Sequence, residues 1–144
     1  MPDQSPSTGN SVAHPVISVI IPANNEEPGI AAALDVINGV LAACEVSNEI
    51  IVIDDGSTDA TYAVLKKLCE KQDNLRAIKL SRNFGKESAM LAGLRASTGD
   101  AVITIDADLQ HPPELIPEMI EKWKDGAMVV HAVKRQRAAN TAME

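Results

Sequence analysis

Apolar and polar positions follow two rhythms along this chain, and the switch from one to the other recurs. Pro15-Val-Ile-Ser-Val-Ile-Ile-Pro22 is a β-branched run closed by a proline, with the near-continuous hydrophobicity of a strand covered on both faces. From Glu27-Pro28-Gly29 the period lengthens: Ile30, Leu34, Ile37 and Leu41 fall on one side of a helix with acidic residues in its first turn. Glu49–Asp54, Leu75–Leu80 and Ala101–Ile105 repeat the strand rhythm, and Thr58–Gln72 and Gly85–Ser97 the helical one. A further helix opens at His111-Pro-Pro-Glu114, where proline is tolerated and an acid suits the helix dipole. It carries Leu115, Ile116, Met119, Ile120 and Trp123 at helical spacing. Ala127–Val133 reads as a fifth strand. Strands alternating with helices predict β-α-β units with right-handed crossovers, hence an α/β fold of three layers around a mostly parallel sheet.

Open sheets of this kind bind ligands beyond the carboxyl ends of their strands. Polar residues gather there after each strand: Asn24, Asn25 and Glu26; Asp54, Asp55, Gly56 and Ser57; Ser81, Arg82 and Asn83; Asp106, Asp108 and Gln110. Four clusters on one edge predict a single acidic, amide-rich cleft. The last is the most informative, because an apolar strand runs into two carboxylates and a carboxamide at every second position. In an extended segment these three share a face while Leu109 turns inward. Three oxygen donors suit a hard divalent cation, Mg²⁺ or Mn²⁺, whose use at a strand end is to carry a substrate's phosphates. Ala107 leaves room for a ribose to lie close.

In Asp54-Asp-Gly-Ser-Thr-Asp59, Gly56 allows a positive φ, and Ser57 and Thr58 read as caps for the free amides of the next helix. Asp55 is placed to accept from a base N–H or a ribose hydroxyl. Arg82-Asn-Phe-Gly-Lys86 is not a phosphate loop of the Walker type, because Leu80 stands where that pattern needs a glycine. Arg82 and Lys86 either offset pyrophosphate charge or pair with nearby acids. No Gly-x-Gly-x-x-Gly occurs, which removes the main case for a dinucleotide fold. Gly93 inside a helix implies close packing on the sheet. His111 stands beside the oxygen triad, either as a ligand or as part of a helix entry.

At 144 residues, with 45% hydrophobic and 23% charged residues, the chain has one domain's length and can bury a core. A net charge of -7 argues against a nucleic-acid partner. Tyr62, Phe84 and Trp123 are the only aromatics, so stacking platforms are scarce. Cys44 and Cys69 lack metal or redox spacing and read as buried reduced thiols of a cytoplasmic protein. No apolar run reaches the roughly 18 residues of a membrane span, and the first residues lack the features of a signal peptide.

Ile21-Pro-Ala-Asn-Asn-Glu-Glu27, Ile53-Asp-Asp-Gly-Ser-Thr-Asp59, Ser81-Arg-Asn-Phe-Gly-Lys86 and Asp106-Ala-Asp-Leu-Gln-His-Pro-Pro113, in this order, resemble the inverting family 2 glycosyltransferases. Within that family the resemblance is to the polyprenyl-phosphate branch, similar to dolichol-phosphate mannosyltransferases. It runs from about Ile17 to Val133 and implies the nucleotide-diphospho-sugar transferase (GT-A) fold, here incomplete. It also implies a donor-nucleotide site at Pro22, Glu26, Ile53, Asp55, Asp106 and Ala107, to which their place on the same edge adds Asn24 and Lys86, and a metal site at Asp106, Asp108 and Gln110. Asn24 departs from the family, which commonly has an aromatic there to pack on the base. The implied reaction moves a hexose from a nucleotide-sugar of GDP-mannose or UDP-glucose type, with inversion, to a dolichyl or undecaprenyl phosphate.

On this reading residues 1–14 form a disordered tail, 15–137 a nucleotide-sugar-binding α/β domain and 138–144 a flexible end. The chain reads as the donor half of a longer enzyme. Its acceptor residues, any catalytic base and any membrane segments at the cytosolic face would lie beyond Glu144, and homo-oligomers remain open. Two other classes compete. A binding module without turnover would keep the same donor cleft. An aspartate-dependent phosphotransferase also ends a strand in Asp-x-Asp, but wants Thr or Val where this chain has Gln110.

Overall fold

The structure, a computed structural model, describes residues 15–128 and residue 130. Strands β1 (Ile17–Ala23), β2 (Asn48–Asp54), β3 (Leu75–Lys79) and β4 (Ala101–Thr104) form one sheet in the order β3-β2-β1-β4. Every neighbouring pair is parallel. Helices α1 (Ile30–Ala43), α2 (Thr61–Lys71), α3 (Lys86–Ala96) and α4 (Ile116–Lys124) connect or follow them, the last after a 3₁₀ turn at Pro113–Leu115. This is the expected α/β architecture.

The strands lack a polar face because both faces are covered. Val19, Ile21, Ile50 and Val52 pack with Ile30, Leu34, Ile37 and Leu41 of α1, Leu65 of α2 and Ile116 and Ile120 of α4. Their sequence neighbours Ile20, Ile51 and Ile53 turn the other way, onto Ala89 of α3. Three layers result, each fully buried Ile or Leu contributing about 1.5–3 kcal/mol. Gly93 lets α3 sit close: a Cβ there would lie 2.4 Å from Ile20 Cγ2. Cys44 and Cys69 are free thiols, only half-buried, packed against the margin of the larger cluster. Burial pushes both thiols up from their ordinary pKa.

Several boundaries differ from expectation for local reasons. Helix α1 starts at Ile30, so Glu26 and Glu27 stand ahead of it rather than in its first turn. The Glu26 carbonyl instead accepts from the Gly29 and Ile30 amides. Helix α2 starts only at Thr61, and neither Ser57 nor Thr58 caps it. The Ala60 amide donates to Glu27 Oε2 at 3.2 Å and the Thr61 amide to Asp59 Oδ1 at 2.9 Å. Of the predicted fifth strand, residues 127, 128 and 130 carry no strand structure, and the remaining positions lie outside the described residues, as do the tail at 1–14 and the end at 138–144. Among the described residues no helix is long and apolar enough to cross a membrane.

Candidate functional site

Strands β1, β2 and β3 end level and β4 stops opposite Ile20, three residues short of Ala23, and the loops that follow them meet at one edge. Asp54 stands opposite both Ala23 and Lys79 in the register. The Asp55 amide extends the ladder to the Ala23 carbonyl at 2.8 Å, and the Leu80 amide to the Asp54 carbonyl at 2.9 Å. The β4 ladder closes with the Ile105 amide on the Ile20 carbonyl at 3.0 Å. Beyond this edge lies a cleft of about 450 Å³. Of the residues expected at a ligand, Pro22, Asn24, Glu26, Asp55, Lys86, Asp106, Ala107, Asp108 and Gln110 line it, and so do Ala23, Asn83 and Gly85. Ile53 does not: its side chain is fully buried in the core with Ile20 and Ile51.

The reason the oxygen triad converges differs from the one the sequence suggested. The chain turns at Ala107 and Asp108 instead of running on as a strand. The Asp106 carbonyl accepts from the Leu109 amide at 3.1 Å, closing a turn, and Leu109 takes the left-handed conformation with φ +55°. That conformation costs a leucine roughly 1–2 kcal/mol, strain of a kind that collects at functional sites. The turn itself, rather than alternation along a strand, sets Asp106, Asp108 and Gln110 on one cleft, with the Gln110 amide donating to Asp108 Oδ1 at 3.2 Å. Asp108 and Gln110 are exposed, Asp106 is half-buried and Ala107 is buried.

Asn25, which the sequence marks only as one member of a polar cluster, stitches the first loop to the second. Its Oδ1 accepts from the Thr58 amide at 2.8 Å, the Asp59 amide at 3.2 Å and the Thr58 hydroxyl at 3.2 Å. Its φ of +53° is one that asparagine tolerates better than most residues. The Asn25 amide donates to Ser57 Oγ at 2.9 Å and the Glu26 amide to Thr61 Oγ1 at 2.9 Å. Asn24, the departure from the family pattern, donates through Nδ2 to the Asp55 carbonyl at 2.6 Å. The available signal was an asparagine ahead of a helix together with hydroxyls in Ser57-Thr58, groups that need partners.

Asp54 and Asp55 diverge. Asp54 is fully buried; its Oδ1 accepts from the Ser57 amide and hydroxyl, and its Oδ2 has no hydrogen-bond partner among the described residues. Asp55 lines the cleft and holds the third loop, accepting from the Phe84 amide at 2.8 Å and the Gly85 amide at 3.0 Å. An ionised carboxylate has about four acceptor positions, so capacity remains for a ligand. Gly56, with φ +66°, lets the third loop lie against the second: a Cβ there would sit 2.2 Å from the Asn83 nitrogen. Lys86, the first residue of α3, places Nζ 2.5 Å from Asp106 Oδ1, while Arg82 stacks on the Phe84 ring at 4.5 Å. His111 lines a neighbouring cavity that shares Pro22, Lys86 and Asp106 with the cleft.

Glu26, Asp55, Asp106 and Asp108 thus face Lys86 across one cleft. Burial, then the charges of Asp108 and Asp59, push the Glu26 carboxyl above its ordinary pKa of 4.5. Among the described residues no three His, Cys, Asp or Glu side chains gather closely enough to enclose an ion. Two carboxylates and a carboxamide form an open set of hard donors instead, which suits an ion such as Mg²⁺ that takes its remaining oxygens from phosphates and water.

The family model described as glycosyl transferase family 2 matches residues 18–143. The chain belongs to that family. Among relatives of this family 2 chain is a bactoprenol glucosyl transferase of Shigella phage SfX, 41% identical over 124 residues, covering 86% of this chain and 41% of the relative. An undecaprenyl-phosphate 4-deoxy-4-formamido-L-arabinose transferase of Klebsiella pneumoniae is 40% identical over 122 residues, covering 84% and 37%. Among solved structures, a mannosyltransferase from Pyrobaculum calidifontis in complex with GDP-Man and Mn²⁺ superposes with a TM-score of 0.70 at 28% identity, over 90% of this chain and 39% of that one. The family 2 chain described here spans about 40% of the length of the curated relatives it matches.

Proposed function

We propose that this glycosyltransferase chain binds a nucleotide-sugar through a divalent cation held by Asp106, Asp108 and Gln110, for transfer with inversion to a polyprenyl phosphate. The observation that carries the reading is the convergence of those three oxygen donors with Glu26, Asp55 and Lys86 on one cleft at the carboxyl edge of the sheet. Ala107, buried between two ligands of the triad, keeps the floor low enough for a ribose. Asp55 retains acceptor capacity for a base or ribose donor, and Lys86 supplies a cation for the diphosphate. With few aromatics and a polar Asn24, the base is read by its hydrogen-bonding edge more than by stacking.

The ion, when bound, would neutralise charge developing on the departing diphosphate. An acceptor phosphate is already anionic and needs little help from a general base. The acceptor is drawn from the names of relatives that act on bactoprenol and undecaprenyl phosphate. GDP-mannose is one candidate donor because a structural neighbour was solved with it and Mn²⁺. UDP-glucose is the other. Mg²⁺ and Mn²⁺ fit the donors equally, and the reaction belongs to the cytoplasm or the cytosolic face of a membrane.

Calorimetric titration of GDP-mannose and UDP-glucose, with and without Mn²⁺, tests the reading. Metal-dependent uptake of at least one is expected, and its absence for both defeats the proposal. The second reading is a donor-binding module without turnover, since the residues that line the cleft provide for a nucleotide and an ion and none of them is given a role toward an acceptor. Transfer to a polyprenyl phosphate, or donor hydrolysis, by the 144-residue chain would exclude it.

A further inference from the structure

Among the described residues Lys86 is the cation that lines the cleft with its acids, and its place is set from behind. The two residues before it are held by their amides on the Asp55 carboxylate, at 2.8 Å for Phe84 and 3.0 Å for Gly85. The side chain then reaches Asp106, with 2.5 Å between Nζ and Oδ1. The helix dipole opposes the charge, because Lys86 opens α3 and a cation at a helix N-terminus meets the positive end of the dipole, with only Glu87 in the same turn to offset it. The pair is also loosely enclosed, with side-chain exposures of 59% for Lys86 and 31% for Asp106. A well-anchored backbone therefore carries a tip held by one carboxylate that the metal reading also requires.

We infer that Lys86 is a resident counter-cation: its ammonium pairs with Asp106 before a donor binds and moves to the donor's diphosphate when a divalent ion takes that carboxylate. This rests on the donor-binding reading given above and adds a property to it. A half-exposed ion pair is weak enough to exchange. A doubly charged ion competes with the single charge of Lys86 for Asp106, so the ion alone meets resistance. An ion arriving with a diphosphate does not, because the displaced ammonium gains anionic oxygens within the same cleft. Coupled uptake of metal and nucleotide follows, with acidic Asp106 kept neutralised between turnovers. Asp55 becomes a positioning residue in this scheme, since its hold on the third loop aims Lys86 at Asp106.

The sign of two binding changes tests the inference. Mn²⁺ alone, followed by its paramagnetic resonance signal, is expected to bind Lys86→Met about two- to fivefold more tightly than the unaltered chain, the range an exposed pair commands. GDP or UDP at saturating Mn²⁺ is expected to bind the same variant about tenfold more weakly, as loss of a charge-assisted hydrogen bond implies. A lysine of merely structural importance would weaken both. Equal or weaker Mn²⁺ binding by Lys86→Met overturns the inference while leaving the donor reading in place, provided the unaltered chain still takes up GDP or UDP with the ion. Failure of the unaltered chain to bind Mn²⁺ with either nucleotide defeats both. Circular dichroism establishes that the variant is folded, and Lys86→Gln, measured the same way, replaces it if it is not.

Discussion

At the amino edge of the sheet, Glu49 accepts from the Ser18 hydroxyl at 2.7 Å, the Thr98 amide at 2.7 Å, the Thr98 hydroxyl at 3.0 Å and Arg76 at 3.0 Å. Nearby, the amides of Asn38, Asn48, Gln72 and Asn74 bond to one another in a row. At the carboxyl edge, Glu26 faces Asp108 and Asp59, Asp54 Oδ2 has no partner among the described residues, and Leu109 and Asn25 sit at positive φ. Both edges are built from the same residue types on the same strands. The amino edge pairs its polar groups with one another, although Glu45 ahead of β2 also takes a positive φ of 55°, whereas the carboxyl edge sets like charges together around a cleft. Stability and binding should therefore separate by edge, and substitutions can show where they do not.

Gly56→Ala should break the separation most severely. A side chain at φ +66° that meets the Asn83 backbone at 2.2 Å cannot fit unless the third loop moves. A loss of at least about 3 kcal/mol in denaturant unfolding is expected, together with loss of metal-dependent nucleotide binding. Asp108→Ala comes next and should act on binding alone: about 100-fold weaker Mn²⁺-dependent uptake by calorimetry, with the unfolding midpoint nearly unchanged, because the residue is exposed. Glu49→Ala should do the reverse, costing about 2 kcal/mol through the buried Ser18 hydroxyl it deserts while leaving Mn²⁺ affinity intact. Gly93→Ala sets a helix-propensity gain of about 1 kcal/mol against a contact 2.4 Å from Ile20 Cγ2. A net loss near 1 kcal/mol is expected from urea unfolding, overpacking being the larger effect.

The smallest effect is in pH dependence, where the two edges should carry opposite signs. Burial works against the Glu49 carboxylate, yet Ser18, Thr98 and Arg76 together hold its pKa below the ordinary 4.5. Its contribution is therefore complete above that value and lost as pH falls through the folded-state pKa. Glu26, raised above 4.5 by burial and by its acidic neighbours, imposes a cost that is absent below that value and grows as pH rises through its folded-state pKa. Thermal midpoints measured from about pH 3 to about pH 7 should show Glu49→Gln flattening the acid-side decline and Glu26→Gln raising the neutral-side plateau. The same slope for both variants would show that the edges do not differ in this way.

The periodicity of the chain was enough to determine the α/β fold, because runs such as Val19–Ile21 and Ile50–Ile53 have no polar face and must be covered on both sides. It also located the cleft, since parallel strands place every loop that follows them on one edge. Side-chain direction was decided only in three dimensions. Ile53 went into the core with Ile20 and Ile51, and Asp54 and Asp55, both buried, turned to different partners, Asp54 to Ser57 and Asp55 to the third loop at the cleft. Asp106, Asp108 and Gln110 came together through a turn that needs a left-handed leucine, a conformation no local propensity favours. Asn25 and Asp55 became loop fasteners because their partners lie about thirty residues away in sequence. Hydrophobic period is a local property that the chain carries in its order of residues, whereas a hydrogen bond between loops exists only once the sheet has set those loops side by side.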